Sequence, residues 1–133
     1  MKATFTKKEK LCKQNDFTLL FTKGKSINHN SLKIYFLFFP SDIPEIKVAF
    51  SVSSKKIKRA VERNYIKRLF RETYRKNKQL LHEILTTHSI FITFVYTTNE
   101  KITYQQLEKE MIIVLKKIRD LYNIQVAYDK NTI

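Results

Sequence analysis

The sequence predicts an α+β (α/β) two-layer sandwich, in which a mixed sheet of about four strands packs with helices. Three observations lead there. The stretches 32–39, 46–53 and 89–97 are short and rich in aromatic and branched residues, as strands are. The stretches 57–85 and 103–121 instead repeat apolar residues at helical spacing. With one Gly and two Pro among 133 residues, nothing is left over for long flexible linkers. The order is α-β-β-(β)-α-β-α, and the pattern alone does not locate the bracketed strand. One domain is expected over 1–121, with a basic extended arm at 1–14 and a tail at 122–133.

Each element has its own signal. Asn15 or Asp16 can cap a short helix from Phe17 to Lys23, closed by Gly24, the chain's single glycine. Phe17 and Phe21 lie four apart and share one face of it. Leu32 to Phe39 is an apolar strand, and Asp42 and Pro44 mark the connection after it. Ile46 to Ser53 alternates large apolar with polar or small residues, the period of a half-buried strand. In 89–97, Ile90, Ile92, Phe94 and Tyr96 line one face. The last helix opens at Thr103-Tyr-Gln-Gln106, a capping box, and continues with Leu107, Met111, Val114, Leu115, Ile118 and Leu121.

Charge narrows the function. Twenty-six Lys and Arg against twelve Asp and Glu give +14, and the pI is near 9.9. Self-repulsion on that scale is relieved by a polyanion. Residues 55–78 hold eleven of the cations and two acids, so they carry +9. Arg63, Lys67, Arg71 and Arg75 step by four, with Asn64 and Arg68 beside them, opposite Ile66, Leu69, Phe70 and Thr73. Such a row spaces cations about 6 Å apart, which suits a phosphodiester backbone. The arginine fork takes two phosphate oxygens at once, and Asn64 suits a base edge or a ribose hydroxyl.

Other functions are disfavoured. A lone Cys12 allows neither an internal disulfide nor a cysteine-based zinc site. The first residues run into lysines without an apolar signal region, and the longest apolar run, Ile34 to Pro40, is too short for a bilayer. A cytoplasmic protein is expected, with no membrane partner and no small-molecule substrate. The acids are scattered, Glu108 and Glu110 point ~160° apart on one helix, and His29, His82 and His88 show no paired acid–base spacing. No catalytic residue and no protein metal site is expected.

The cationic segment also carries a family resemblance. Lys55-Lys56-Ile57 followed by Ala60-Val61-x-Arg63-Asn64-x-x-Lys67-Arg68-x-x-Arg71-Glu72 resembles the signature of the bacterial ribonuclease P protein subunit. Upstream, Leu11-x-Lys13-x-x-Asp16-Phe17-x-x-x-Phe21-x-x-Gly24 resembles that family's N-terminal segment. Tyr65 stands where the family usually has Arg, and Lys58-Arg59 replace its usual Gly-Asn. The resemblance implies a ribosomal-protein-like fold and a non-catalytic subunit of a ribonucleoprotein endoribonuclease. The implied partners are the ribonuclease P RNA, which would do the catalysis, and precursor tRNA, whose 5′ leader is removed. Mg²⁺ would be held by RNA and substrate. Lys55, Lys56, Arg63, Asn64, Lys67, Arg68, Arg71 and Arg75 would meet RNA, and Phe17, Phe21 and Tyr35 would hold the leader. Another basic RNA-binding module, ribosomal or chaperone-like, would keep the helix without needing the aromatic residues. A stand-alone nuclease would cleave RNA with no RNA partner.

Overall fold

The computed structural model describes residues 7–131. Helix α1 (Gln14–Lys23) leads into strands β1 (Lys25–His29), β2 (Leu32–Pro40) and β3 (Ile46–Val52). Helices α2 (Ala60–Asn77) and α3 (Gln79–His82) follow, then β4 (His88–Tyr96) and α4 (Tyr104–Asn131). The four strands form one sheet in the order β1-β2-β4-β3. β2 pairs antiparallel with both β1 and β4, whereas β3 runs parallel to β4, so the sheet is mixed as expected.

Alternation along the strands divides the sheet into two faces. Leu32, Ile34 and Phe36 of β2, Ile46 and Val48 of β3, and Ile90, Ile92 and Phe94 of β4 join one buried core with α2 and α4. The opposite face is thinner. There Leu11, Leu20 and Phe91 form a second cluster, with Phe17, Tyr35, Leu37, Phe39 and Ala49 packed on it. α1 therefore covers the face that α2 and α4 do not, and leaves part of it open.

The unassigned strand is β1, a hairpin partner of β2 joined through Asn30, whose φ of 50° is a left-handed turn that Asn tolerates. Its Lys-Ser-Ile-Asn-His sequence is mostly exposed, a polar sheet edge with little apolar alternation to reveal it. Gly24 closes α1 but in extended backbone, not in the left-handed conformation of a usual C′ glycine. Close approach explains the residue instead. A Cβ there would lie 2.3 Å from the Leu20 carbonyl oxygen and 2.7 Å from that of Phe36. α1 itself starts at Gln14, and its N-cap is Lys13 rather than Asn15 or Asp16.

The expected helix 57–85 is shorter at both ends. Arg59, the N-cap of α2, is extended at φ −79° and ψ 125°. The Arg63 guanidinium donates to the Ile57 carbonyl at 2.9 Å and the Lys58 carbonyl at 2.7 Å, fixing the preceding loop. At the other end the Asn77 side-chain amide donates to the Thr73 carbonyl at 2.8 Å, and the chain breaks at Lys78 before α3. The capping box at Thr103 forms with both reciprocal bonds, at 3.0 and 3.2 Å.

The supposed tail over 122–133 is mostly helix. α4 continues through Asn131, and Tyr122 is fully buried. Its hydroxyl donates to the His88 carbonyl at 2.7 Å and accepts from the His88 and Thr86 N–H groups at 3.1 Å. At the other terminus, residues 1–6 of the expected arm lie outside the described residues. Lys7–Glu9 form a 3-10 turn, Lys10 bridges to Val48, and Leu11 is buried, so this part is docked on the β3 edge.

Candidate nucleic-acid interface

α2 is polar outward because its other side is core. Ile66, Leu69, Phe70, Thr73 and Tyr74 are buried, and the Thr73 hydroxyl spends itself on the Leu69 carbonyl at 2.9 Å. That packing fixes which cations face solvent. Asn64, Arg68 and Arg71 are exposed, while Arg63, Lys67 and Arg75 are half-buried. The solvent-facing ridge is thus centred on Asn64, Arg68 and Arg71, and Arg63 and Lys67 sit on its flank. Lys55 and Lys56 are exposed, in the turn after β3 rather than in the helix.

Among the described residues, no acid forms an ion pair with Arg68 or Arg71. Glu72 pairs with Arg75 at 3.0 Å, and the hydrogen bond from Arg75, aided by the charges of Arg75, Lys76 and Arg68, holds its carboxyl below the usual carboxylate range. Lys76 lies over the Tyr104 ring, 5.1 Å from its centroid, tying the end of α2 to α4.

The second surface lies on the α1 side of the sheet. Phe17 and Phe21 are nearly parallel, with centroids 6.3 Å apart. Tyr35 of β2 meets Phe21 edge-on at 4.9 Å. The fold therefore gathers all three residues, and their exposure differs usefully. Phe21 is 52% exposed, whereas Phe17 is half-buried against the second cluster. Lys33, whose ammonium sits 5.1 Å from the Tyr35 ring centroid, completes a cationic aromatic patch. Sequence reasoning passed over Lys33, although its i,i+2 relation to Tyr35 on one strand is the signal that finds it.

The chain that carries these two surfaces, an arginine ridge and an aromatic patch on opposite layers, is similar over most of its length to known proteins. The family profile described as Ribonuclease P matches residues 5–119. The chain belongs to the ribonuclease P protein family. The ribonuclease P protein component of Porphyromonas gingivalis is 32% identical over 109 residues, which span 80% of each chain. That of Streptococcus agalactiae is 34% identical over 116 residues, covering 87% of this chain and 95% of its own. A mutant RNase P protein of Staphylococcus aureus superposes with a TM-score of 0.71 at 26% identity, over 85% of this chain and 90% of that one.

Two further features bear on chemistry. Among the described residues, no three His, Cys, Asp or Glu side chains gather so that they could hold a metal ion. His88, however, is not without an acid: its Nε2 lies 2.6 Å from an Asp129 carboxylate oxygen, and its Nδ1 lies 2.8 Å from the Thr87 hydroxyl. Spacing along the chain could not reveal a partner 41 residues away. The His88 ring is buried under Tyr122, which points to a clamp holding the last turns of α4 to β4. No helix among the described residues is long and apolar enough to cross a membrane.

Proposed function

We propose that this ribonuclease P protein binds the catalytic RNA along the α2 ridge and the 5′ leader of precursor tRNA on the Phe17–Phe21–Tyr35 patch. The observation that supports this reading is the pairing of two unlike surfaces in one small domain. A guanidinium ridge meets phosphates with charge and two-pronged hydrogen bonds. Exposed rings stack on unpaired bases of any sequence, which suits a leader that varies between tRNAs. A basic RNA-binding module with no part in cleavage has no use for the second surface.

In this reading the RNA performs the cleavage, with Mg²⁺ held by RNA and substrate. The protein's residues bind, orient and screen charge. Lys55, Lys56, Asn64, Arg68 and Arg71 contact the RNA subunit directly. Arg63 acts partly by holding the loop that presents Lys55 and Lys56.

Reconstitution tests this. Protein plus ribonuclease P RNA should process precursor tRNA at Mg²⁺ concentrations where the RNA alone is slow, and protein alone should not process it. Metal-dependent cleavage by RNA-free protein that survives repurification would overturn the proposal.

A further inference from the structure

A groove of about 650 Å³ runs between the first turns of α2 and the loop from β4 to α4, and neither surface described above uses it. Its apolar lining comes from Ile57, Val61, Tyr65, Ile66, Ile102 and Tyr104. Val61 is 80% exposed and Tyr65 55%, one turn apart on a helix otherwise clothed in charge. An exposed apolar patch rimmed by polar groups is the mark of an interaction site.

The far wall is held in place. The Tyr96 hydroxyl donates to the Glu100 carbonyl, the Glu100 N–H donates to the Thr98 hydroxyl at 3.1 Å, and the capping box fixes Thr103. The groove therefore exists before anything enters it, which lowers the entropic cost of binding.

Its charges select the occupant. Glu62 and Glu100 line the groove and repel a phosphate inside it. Around the mouth the sign reverses: Lys58 and Arg59 are exposed on the loop that supplies Ile57, Lys101 lies on the far wall, and Arg68 is three residues beyond Tyr65. The fitting partner is anionic outside and flat and apolar inside. An unpaired nucleotide has that form, with its phosphates at the cationic rim and its base on the Tyr65 ring. Asn99 and Gln105 stand in the lining with amides able to bond a base edge. An apolar peptide side chain satisfies the lining but leaves the rim cations unanswered.

We infer that the Tyr65 groove holds an unstacked nucleobase of the ribonuclease P RNA, adding a base contact to the phosphate contacts of the α2 ridge. This rests on the reading of α2 as the face that binds the RNA subunit.

The test is the affinity of the full chain for ribonuclease P RNA over a salt series, for Tyr65→Ala, Tyr65→Phe and Arg71→Ala. Thermal unfolding of Tyr65→Ala should match the parent protein, since the ring is more than half exposed. Tyr65→Ala should weaken binding about tenfold with an unchanged salt slope, because a stack is lost and no phosphate contact is. Tyr65→Phe should bind normally, and chemical probing should find one RNA base protected by the parent and Phe forms but reactive with the Ala form. Normal affinity of Tyr65→Ala, an equal loss in Tyr65→Phe, or a slope reduced by one contact would each overturn the inference. If Arg71→Ala weakens binding while Tyr65→Ala does not, only the groove is misread. If neither weakens it, α2 is not the RNA face and the underlying reading falls with the inference.

Discussion

The outward faces of α2 and α1 rest on very different foundations. α2 stands on the main core, with Phe70 and Tyr74 fully buried beneath it, so its guanidinium ridge is set by a rigid platform. α1 stands on a small cluster of three buried residues, and its ring Phe21 is 52% exposed. The difference separates two kinds of binding residue. On α2 the ridge side chains can change without disturbing the fold, whereas on α1 some of the residues that would bind are also those that hold the helix down.

The largest contrast is between two phenylalanines. Phe70→Ala should cost about 3–5 kcal/mol of folding stability and weaken every RNA interaction together. Phe21→Ala should unfold near the parent temperature yet lose about 1–3 kcal/mol of binding to precursor tRNA, with mature tRNA unaffected. Phe17→Ala falls between, losing both stability and leader binding. Thermal unfolding, measured beside both tRNA affinities, separates the three.

Gly24→Ala sharpens the same contrast through the backbone. Its Cβ would press on two carbonyl oxygens, one in α1 and one in β2, so α1 must move off the sheet. The expected cost is about 1–3 kcal/mol of stability. Leader affinity should fall while affinity for the RNA subunit holds.

On α2 itself, Arg63 and Arg71 should differ. Arg71→Ala should leave stability unchanged and flatten the plot of log affinity against log salt by about 0.7–0.9. Arg63→Ala should also destabilise by about 1–2 kcal/mol, since two hydrogen bonds to the loop carbonyls disappear. Equal melting temperatures for the two variants would remove the structural role given to Arg63.

The smallest effect belongs to Glu72. Its carboxyl titrates below the usual range because Arg75 favours the charged form, so the pair stabilises above that range and the contribution disappears as pH falls through the lowered pKa. Both side chains are substantially exposed, so Glu72→Gln should cost less than ~0.5 kcal/mol. Removing the Glu72 charge should also tighten RNA binding slightly at neutral pH and not at acidic pH, where the parent carboxyl is already protonated.

How much of this was legible in the sequence follows from the range of each interaction. The α2 core face and its cations were readable because helical spacing is local, and so was the capping box at Thr103. The exact orientation was not: Arg63 turned out to be bound to loop carbonyls, and the ridge moved towards Asn64, Arg68 and Arg71. β1 is not legible because an exposed polar edge strand has almost no apolar pattern. The continuation of α4 past Leu121 depends on Tyr122 reaching His88 across 34 residues, and the His88–Asp129 pair is equally non-local. The aromatic patch came from family resemblance, since nothing in the spacing of Phe17 and Phe21 says that Tyr35 of a later strand will meet them.

The division of labour between the two faces is tested most directly by one double comparison. Phe21→Ala and Arg71→Ala are each assayed for affinity to ribonuclease P RNA, and then, in the assembled complex, for affinity to precursor and mature tRNA. Two separate surfaces require that Arg71→Ala weaken only the RNA subunit and Phe21→Ala weaken only the precursor. Loss of both affinities in both variants, at unchanged melting temperature, would mean a single continuous interface and contradict the assignment.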